Sequence, residues 1–486
     1  MVHSKTFDIL KELSKKEFIQ FGKYLGSGAF TSNKNLYKLY DFLRDFYPDF
    51  SSPHITKQSI YSSAYINSKY SDSKTRKLLS DLYKEAELFI AFLKIRNDKF
   101  EFQKTLLPEL DERKLDTLFP SKYEEIKEYL FKPPMQISNF LDIHLLEWHN
   151  LRFNLIRGLQ SKMGPSVFSR SENLIFYVLC DTFLAFQDML TYKNSYNYSK
   201  PVNLPDAFIS SIDHKKLFTF IQKNEFPGKD VVVSFYLAYM ALKNFEDISH
   251  YFRFKEFVMK NFENYHISTQ RTMAAFLTNY CIRKKRLSEK KFDHELFEIY
   301  QLHIKYNLIR INNEKYIRSD VFLNMLTYYY ENGKISELSS FIESNIENIQ
   351  PGHRKNTFAL SKALIEFEKG NFELSLRQSS MIKSTTFVFK HKLKILILKN
   401  HFELKNFETA GELAGSFYKS IAVDKNFAEP QKQRSYRFLH YYNLLLKASL
   451  DKEGKNKLKE SMAISNNEQF QESVWIMKKI KQLLKK

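Results

Sequence analysis

Glycine and proline are scarce in this chain, 12 of each among 486 residues, and most fall between stretches of three-and-four apolar spacing rather than inside them. Both disfavour a helix interior, glycine through lost backbone entropy and proline through its missing N–H and its clash with the preceding turn. A sequence that confines them to the joints predicts helices linked by short turns. A β protein of this length would need many more turn residues, and a doubly wound α/β protein would show Val/Ile-rich strand runs between its helices. The one run of that kind, Val231-Val232-Val233, continues into a helical pattern. The expected fold class is all-α: an α-solenoid of helical hairpins preceded by an amino-terminal helical unit.

A chain this long outgrows a single hydrophobic core, so several domains or a repeat array is expected. With 43% hydrophobic and 16% aromatic residues, there is apolar material for the whole chain to fold. Residues 1–100 read as a compact four-helix unit. Ser14 and Glu17 form a capping box that opens a helix, and Gly26-Ser27-Gly28 ends it. A second helix from Asn33 carries Leu36, Leu39, Tyr40, Leu43 and Phe46 and stops before Pro48. A short third follows Thr56, and a fourth from about Ser73 aligns Leu78, Leu79, Leu82, Ala86, Phe89, Ile90 and Leu93. In an irregular region, 101–230, Pro108, Pro120, Pro133-Pro134, Pro165, Pro201 and Pro205 are expected to separate helices. Its strongest helix, near Ser138 to Gln160, lines up Leu141, Leu145, Trp148, Leu151, Leu155 and Leu159. The aperiodic stretch from Tyr192 to Pro205 marks the expected boundary to a third region, 231–486.

That third region contains an internal similarity. Lys243-Asn244-Phe245-Glu246, Gly370-Asn371-Phe372-Glu373 and Lys405-Asn406-Phe407-Glu408 share one pattern of Gly or Lys, Asn, an aromatic and an acid, and Gly333-Lys334-Ile335-Ser336 is a looser copy. Ile335 to Phe372 and Phe372 to Phe407 are 37 and 35 residues apart. Gly, Asn or Lys at the turn permits a left-handed cap that reverses the chain, least easily for Lys. The following aromatic is expected to be buried between the two helices, small residues such as Ser375 and Ala410 let them approach, and Leu376 begins a buried stripe. Glu368-Lys369-Gly370-Asn371-Phe372-Glu373-Leu374-Ser375-Leu376 resembles the interhelical turn of the tetratricopeptide repeat family. The copy at 405 departs from it by Lys405 for glycine and Gly411 for a large apolar residue. The resemblance is best over residues 357–421 and fades toward 235 and 464. The overall layout is also similar to uncharacterised bacterial proteins of Bacteroidetes type, a likeness that implies no activity.

The net charge of +20 invites a nucleic-acid reading, but the excess is spread along the chain. Arg283-Lys284-Lys285-Arg286 is a real basic cluster, placed where cations favour a helix carboxy terminus. Lys74, Arg76 and Lys77 lead a helix whose connection, Asn67 to Asp72, is longer than a helix-turn-helix allows. The terminal lysines of 478–486 suit a solubilising cap on the last helix. Gly26-Ser27-Gly28 lacks the Gly-Lys-Ser/Thr of a phosphate loop. His144 and His149 are five residues apart instead of the four of a zinc-protease helix, so they diverge around it. Cys180 and Cys281 sit in apolar helical sequence and read as packing residues. No cofactor, metal or catalytic constellation is expected. Leu174 to Phe186, the longest greasy stretch, is too short to span a bilayer, and no signal sequence is evident, which points to a reducing cytoplasm.

The family resemblance implies a concave surface lined by the first helix of each pair and a non-enzymatic role in holding a protein or peptide. Lys390 and Lys394 on one first helix, with Arg434, Arg437 and Tyr441 on the next, are the candidate partner-binding residues. Four cations on one groove would favour an acidic ligand through charge-assisted hydrogen bonds. Nucleic-acid association is the alternative, and an enzyme with a site assembled from scattered residues the second alternative.

Overall fold

The computed structural model describes residues 4–28, 31, 33–196, 198–286, 291–310, 316–383, 387–424, 429–464 and 472–485. Among the described residues helix accounts for 80% and no sheet forms. Among the described residues the β contacts are isolated bridges, Arg310 with Ile317 and Ile317 with Ile349. The chain divides into two compact units, Met1–Tyr129 with Leu146–Gly164, and Leu130–Leu145 with Pro165–Lys486. The stretch from Tyr192 to Pro205 lies within the second.

The first unit opens with α1 (Lys5–Lys11), α2 (Lys15–Gly26), α3 (Lys34–Arg44), α4 (Lys57–Ala64) and α5 (Asp72–Asn97). The capping box at Ser14 and Glu17 is present, with each side chain accepting from the other's backbone N–H. Leu36, Leu39, Tyr40 and Leu43 are buried on α3, and Leu78, Leu79, Leu82, Ala86, Phe89 and Leu93 on α5, while Ile90 is exposed. Helix α1 is an addition to the four expected: at seven residues it spans two turns, too few for periodicity to announce it. Its Phe7 and Leu10 join the same core. Gly22 lets α2 meet α3, because a Cβ there would stand 2.3 Å from the Tyr40 ring, whose hydroxyl donates to the Phe18 carbonyl at 3.1 Å.

Pro108 does not end a helix. It lies inside α6 (Lys99–Glu112), and burial of Leu107 and Leu110 on either side opposes the roughly 3 kcal/mol that an interior proline costs. After α7 (Phe119–Phe131) comes α8 (Ile137–Ile156), whose expected stripe is largely reversed. Leu151 is buried as expected, but Leu145, Trp148 and Leu155 are exposed, whereas Phe140, Ile143, Leu146 and Phe153 are buried. This helix is apolar on several faces, so spacing alone does not select the inner one.

The second unit continues through α9 (Gly164–Tyr196), α10 (Leu204–Ser210) and α11 (His214–Lys223). Helix α9 is longer than the greasy stretch suggested. Gly164–Asn194 has the length and composition of a membrane-crossing helix, with 28% of its apolar window buried. Within the unit α9 serves as a packing helix: Phe176 meets Phe140 and Phe226, and Phe183 stacks on Tyr239 at 4.8 Å.

Six helical pairs follow: α12 (Lys229–Lys243) with α13 (Ile248–Asn261), α14 (Ile267–Arg286) with α15 (Lys291–Lys305), α16 (Ser319–Glu331) with α17 (Ile335–Asn345), α18 (Pro351–Glu368) with α19 (Phe372–Ser380), α20 (Phe387–Glu403) with α21 (Phe407–Val423), and α22 (Glu429–Leu450) with α23 (Lys452–Ile464). A last helix, α24 (Ser473–Lys485), packs on α22 and α23. The pairs pack in a repeat-like arrangement in which first helices also meet, α12 with α14, α16 with α18 and α18 with α20.

Three times among the described residues, one turn geometry joins a helix directly to the next. Gly333, Gly370 and Lys405 have φ of 66°, 82° and 60°. The residue after each donates its N–H five residues back at 2.9 Å, Lys334 to Tyr329, Asn371 to Glu366 and Asn406 to His401. These are Schellman caps, which satisfy carbonyls left over at a helix end. The next helix starts from φ/ψ of −86°/63°, −86°/64° and −81°/61° at the same three residues. The looser sequence copy at 333 is thus a full structural copy. The closer one at 243 is not: Lys243 ends α12 without the positive φ of Gly370 or Lys405, the Asn244 N–H reaches only four residues back, to Met240, and α13 starts later, capped by the Asp247 carboxylate.

The small residues behave as expected, Ser375 and Ala410 being 0% exposed. The turn aromatics do not. Phe372 and Phe407 are half-buried, each set edge-on to one ring of the helix before it, Phe367 at 5.4 Å and Phe402 at 5.6 Å. Leu376 is likewise half-buried.

Candidate partner-binding site

Helix α20 carries two of the candidate cations, and its sequence, Phe387 to Glu403, is apolar nearly all round with lysines interspersed. Lys390 is exposed. Lys394 is half-buried and turns to the second helix of its own pair, donating to Ser420 Oγ at 2.8 Å and lying 5.1 Å from the Phe417 ring centre. Burial, and after it the neighbouring Lys390 charge, holds its ammonium below the ordinary lysine value, against the pull of Asp424.

On α22 the three candidates also part. Arg437 is exposed, as expected, but Arg434 is half-buried, and desolvation lowers its guanidinium pKa. Tyr441 is buried, 7% exposed, with its ring against His440. The structure therefore presents Lys390 and Arg437 to solvent and draws Lys394, Arg434 and Tyr441 into packing.

A different set of charges on α20 meets the other first helices. Lys392, Lys399 and Glu403 recur at seven and four residues, one face of a helix. Lys392 Nζ donates to Thr327 Oγ1 on α16. Lys399 is 2% exposed, donates to Tyr330 Oη of α16 at 2.8 Å and pairs with Glu472 at 2.7 Å. Its ammonium lies 4.5 Å from the Phe367 ring of α18, 5.1 Å from Tyr330 and 5.6 Å from Trp475. Glu403 accepts from Trp475 Nε1 at 2.8 Å and pairs with Lys479 at 2.5 Å. Asn400, also buried, donates to Ser375 Oγ at 2.9 Å, and that hydroxyl donates to the Ala363 carbonyl at 2.8 Å. Sequence reading passed over this set because lysines and acids at helical spacing look like a solvated face. The available signal was their seven-and-four recurrence within an otherwise apolar helix.

The remaining motifs have structural partners. Arg283 and Lys284 lie 4.2 and 4.6 Å from the Phe245 ring centre, Lys284 is 1% exposed, and Lys285 pairs with Asp293 at 3.1 Å. The Arg286 side chain, and Lys486 at the end of the terminal lysine run, lie outside the described residues. Asp72 pairs with Lys57 at 2.7 Å and with Arg76 at 2.8 Å. His144 Nδ1 meets the Arg170 carbonyl at 3.0 Å, and Glu147, between the two histidines, accepts from Tyr123 at 2.8 Å. Cys180 and Cys281 are fully buried; desolvation pushes both thiols up, Cys281 to about 12, which keeps them protonated.

Comparison of the chain with family models, curated proteins and solved structures gives no match.

Proposed function

We propose that this protein is a non-enzymatic interaction scaffold whose tetratricopeptide-like hairpins hold a segment of another protein, acidic in character, in a reducing cytoplasm. The observation that carries this reading is the recurrence of one turn geometry at Gly333, Gly370 and Lys405. A repeated turn stacks pairs in a repeated way, and first helices in register make an extended surface that a single site on a globular domain would not offer. Lys390 and Arg437 are the exposed members of the proposed contact.

Changing Lys390→Glu and Arg437→Glu together tests it in a pull-down from source-cell extract. Both residues are exposed, so the circular-dichroism spectrum should be unchanged while partner capture is lost. Retention of every partner that the unaltered chain recovers overturns the assignment of these residues. The net charge of +20 favours nucleic acid as the second reading. Loss of all partners on nuclease treatment, with binding that weakens steeply as salt rises, would replace the first reading by the second.

A further inference from the structure

The helix that covers the charged face of α20 is the chain's own α24, and its contacts have the form of a bound ligand. Glu472 caps the start of α24, its carbonyl accepting from the Ile476 N–H at 3.1 Å, and Trp475, Ile476, Lys479 and Ile480 follow it by three, four, seven and eight residues, the anchor pattern of an amphipathic helix in a groove. Trp475, Ile476 and Ile480 are buried. Trp475 stands edge-on to Phe402 at 5.4 Å and stacks near Tyr442 at 6.3 Å. The outer side of the helix is open, with Val474 78% exposed.

Two features separate this contact from ordinary core packing. It is fastened by two ion pairs, Lys399 with Glu472 and Glu403 with Lys479, whose four side chains are all largely withdrawn from water. Apolar side chains of the same size would serve stability as well or better; opposed charges instead fix register and choose a partner. The anchor residue Glu472 also holds φ of +60°, a left-handed backbone that is unfavourable for a residue other than glycine. Without α24, Lys399 would sit between Tyr330 and Phe367 without the Glu472 carboxylate, ready to receive another.

We infer that α24 is a tethered stand-in for a partner helix. The face formed by Tyr330, Phe367, Lys399, Phe402, Glu403 and Tyr442 takes an amphipathic helix bearing an acid, an aromatic three residues on, aliphatics at four and eight, and a cation at seven. Such a helix binds by displacing α24. This rests on the scaffold reading and adds a face that the candidate residues of that reading do not include.

The test uses the full chain with Trp475→Ala and Lys479→Glu, two changes confined to α24, so the face keeps its native residues. A fluorescent peptide with the native sequence of residues 472–486 is titrated into this variant and into the unaltered chain. The variant should bind at least tenfold more tightly, and adding Lys399→Met should remove most of that gain. Equal affinity for the two chains, or no saturable binding by a variant with native helix content, overturns the inference. Hydrogen exchange on the unaltered chain decides if the variant does not fold. Amides of residues 475–480 should exchange at least a hundredfold faster than those of 438–446, and exchange of both sets in one global event overturns displacement. Failure of peptide binding with the pull-down intact sinks this inference alone. Peptide exchange without any protein partner sinks the scaffold reading and with it the partner helix, leaving α24 a displaceable self-contact.

Discussion

The first hundred residues and the carboxy-terminal hairpins are both built from amphipathic helices, yet their interiors differ in kind. Around α2, α3 and α5 the core is a dry cluster of Phe, Leu, Ile and Tyr side chains. Around α16, α18, α20 and α24 the interior holds Lys399, Asn400 and Ser375 beside the aromatics, joined by ion pairs and hydrogen bonds. A dry core is specified by apolar volume, and many sequences with the right pattern fill it. A polar interior requires each donor and charge to find its partner, so it specifies one arrangement at greater risk.

The largest effect is expected from breaking the polar interior at its centre. Lys399→Ala strands Glu472 and should cost about 3–5 kcal/mol in a reversible urea titration, the range for halving a buried pair. Leu39→Ala in the dry core should cost about 2–5 kcal/mol. What separates them is the repair. Lys399→Met with Glu472→Gln should recover most of the loss, because the stranded charge is gone. If the double change is as costly as the single one, packing rather than charge dominates that interior and the contrast collapses.

A pH titration sharpens the same contrast. Burial pushes His303, which lies against Thr278 at 3.0 Å, down to about 4 from an ordinary 6.5. Between these values the unfolded chain takes up the proton first, so stability is full above pH 6.5 and is lost as pH falls toward 4. The loss should reach about 3 kcal/mol at its limit. His303→Gln should reduce this slope in the urea midpoints, the rest coming in part from His391, which burial also pushes down to about 4; an unchanged slope would remove His303 as a contributor.

Smaller effects test the turns. Because Phe372 and Phe407 are half-buried, alanine at either should cost about 1–2 kcal/mol, below the 3–5 of a fully enclosed phenylalanine. A loss above about 3 kcal/mol would show these rings more enclosed than one neighbour makes them. At the low end, Lys405→Gly should stabilise by roughly 1 kcal/mol, since glycine adopts the left-handed cap without the Cβ clash. The same change at Lys243, where the turn is not left-handed, should destabilise. Equal signs at the two sites would erase the distinction between true and apparent repeat turns.

Much of the fold was legible because helical periodicity, capping and punctuation act over a few neighbouring residues. The capping box of Ser14 and Glu17, the stripe of α5 and the close contacts at Ser375 and Ala410 all follow from such short-range rules. What escaped was whatever depends on which neighbour arrives. The patterns at 243 and 405 both read Lys-Asn-Phe-Glu, yet only the second is a left-handed turn. Lys390 and Lys399 lie on one helix, about half a turn apart at roughly 100° per residue, and nothing local distinguishes an exposed lysine from one enclosed by Tyr330, Phe367 and Trp475. Sequence by itself determined that the described residues are predominantly helical and where several helices begin, α2, α3, α4 and α5 among them, because hydrogen bonds within a helix are made between near neighbours. Tertiary structure alone decided which apolar side of α8 faces inward and which charges are buried, because a side chain's burial is set by residues far along the chain, 73 positions away for Lys399 and Glu472 and 76 for Glu403 and Lys479.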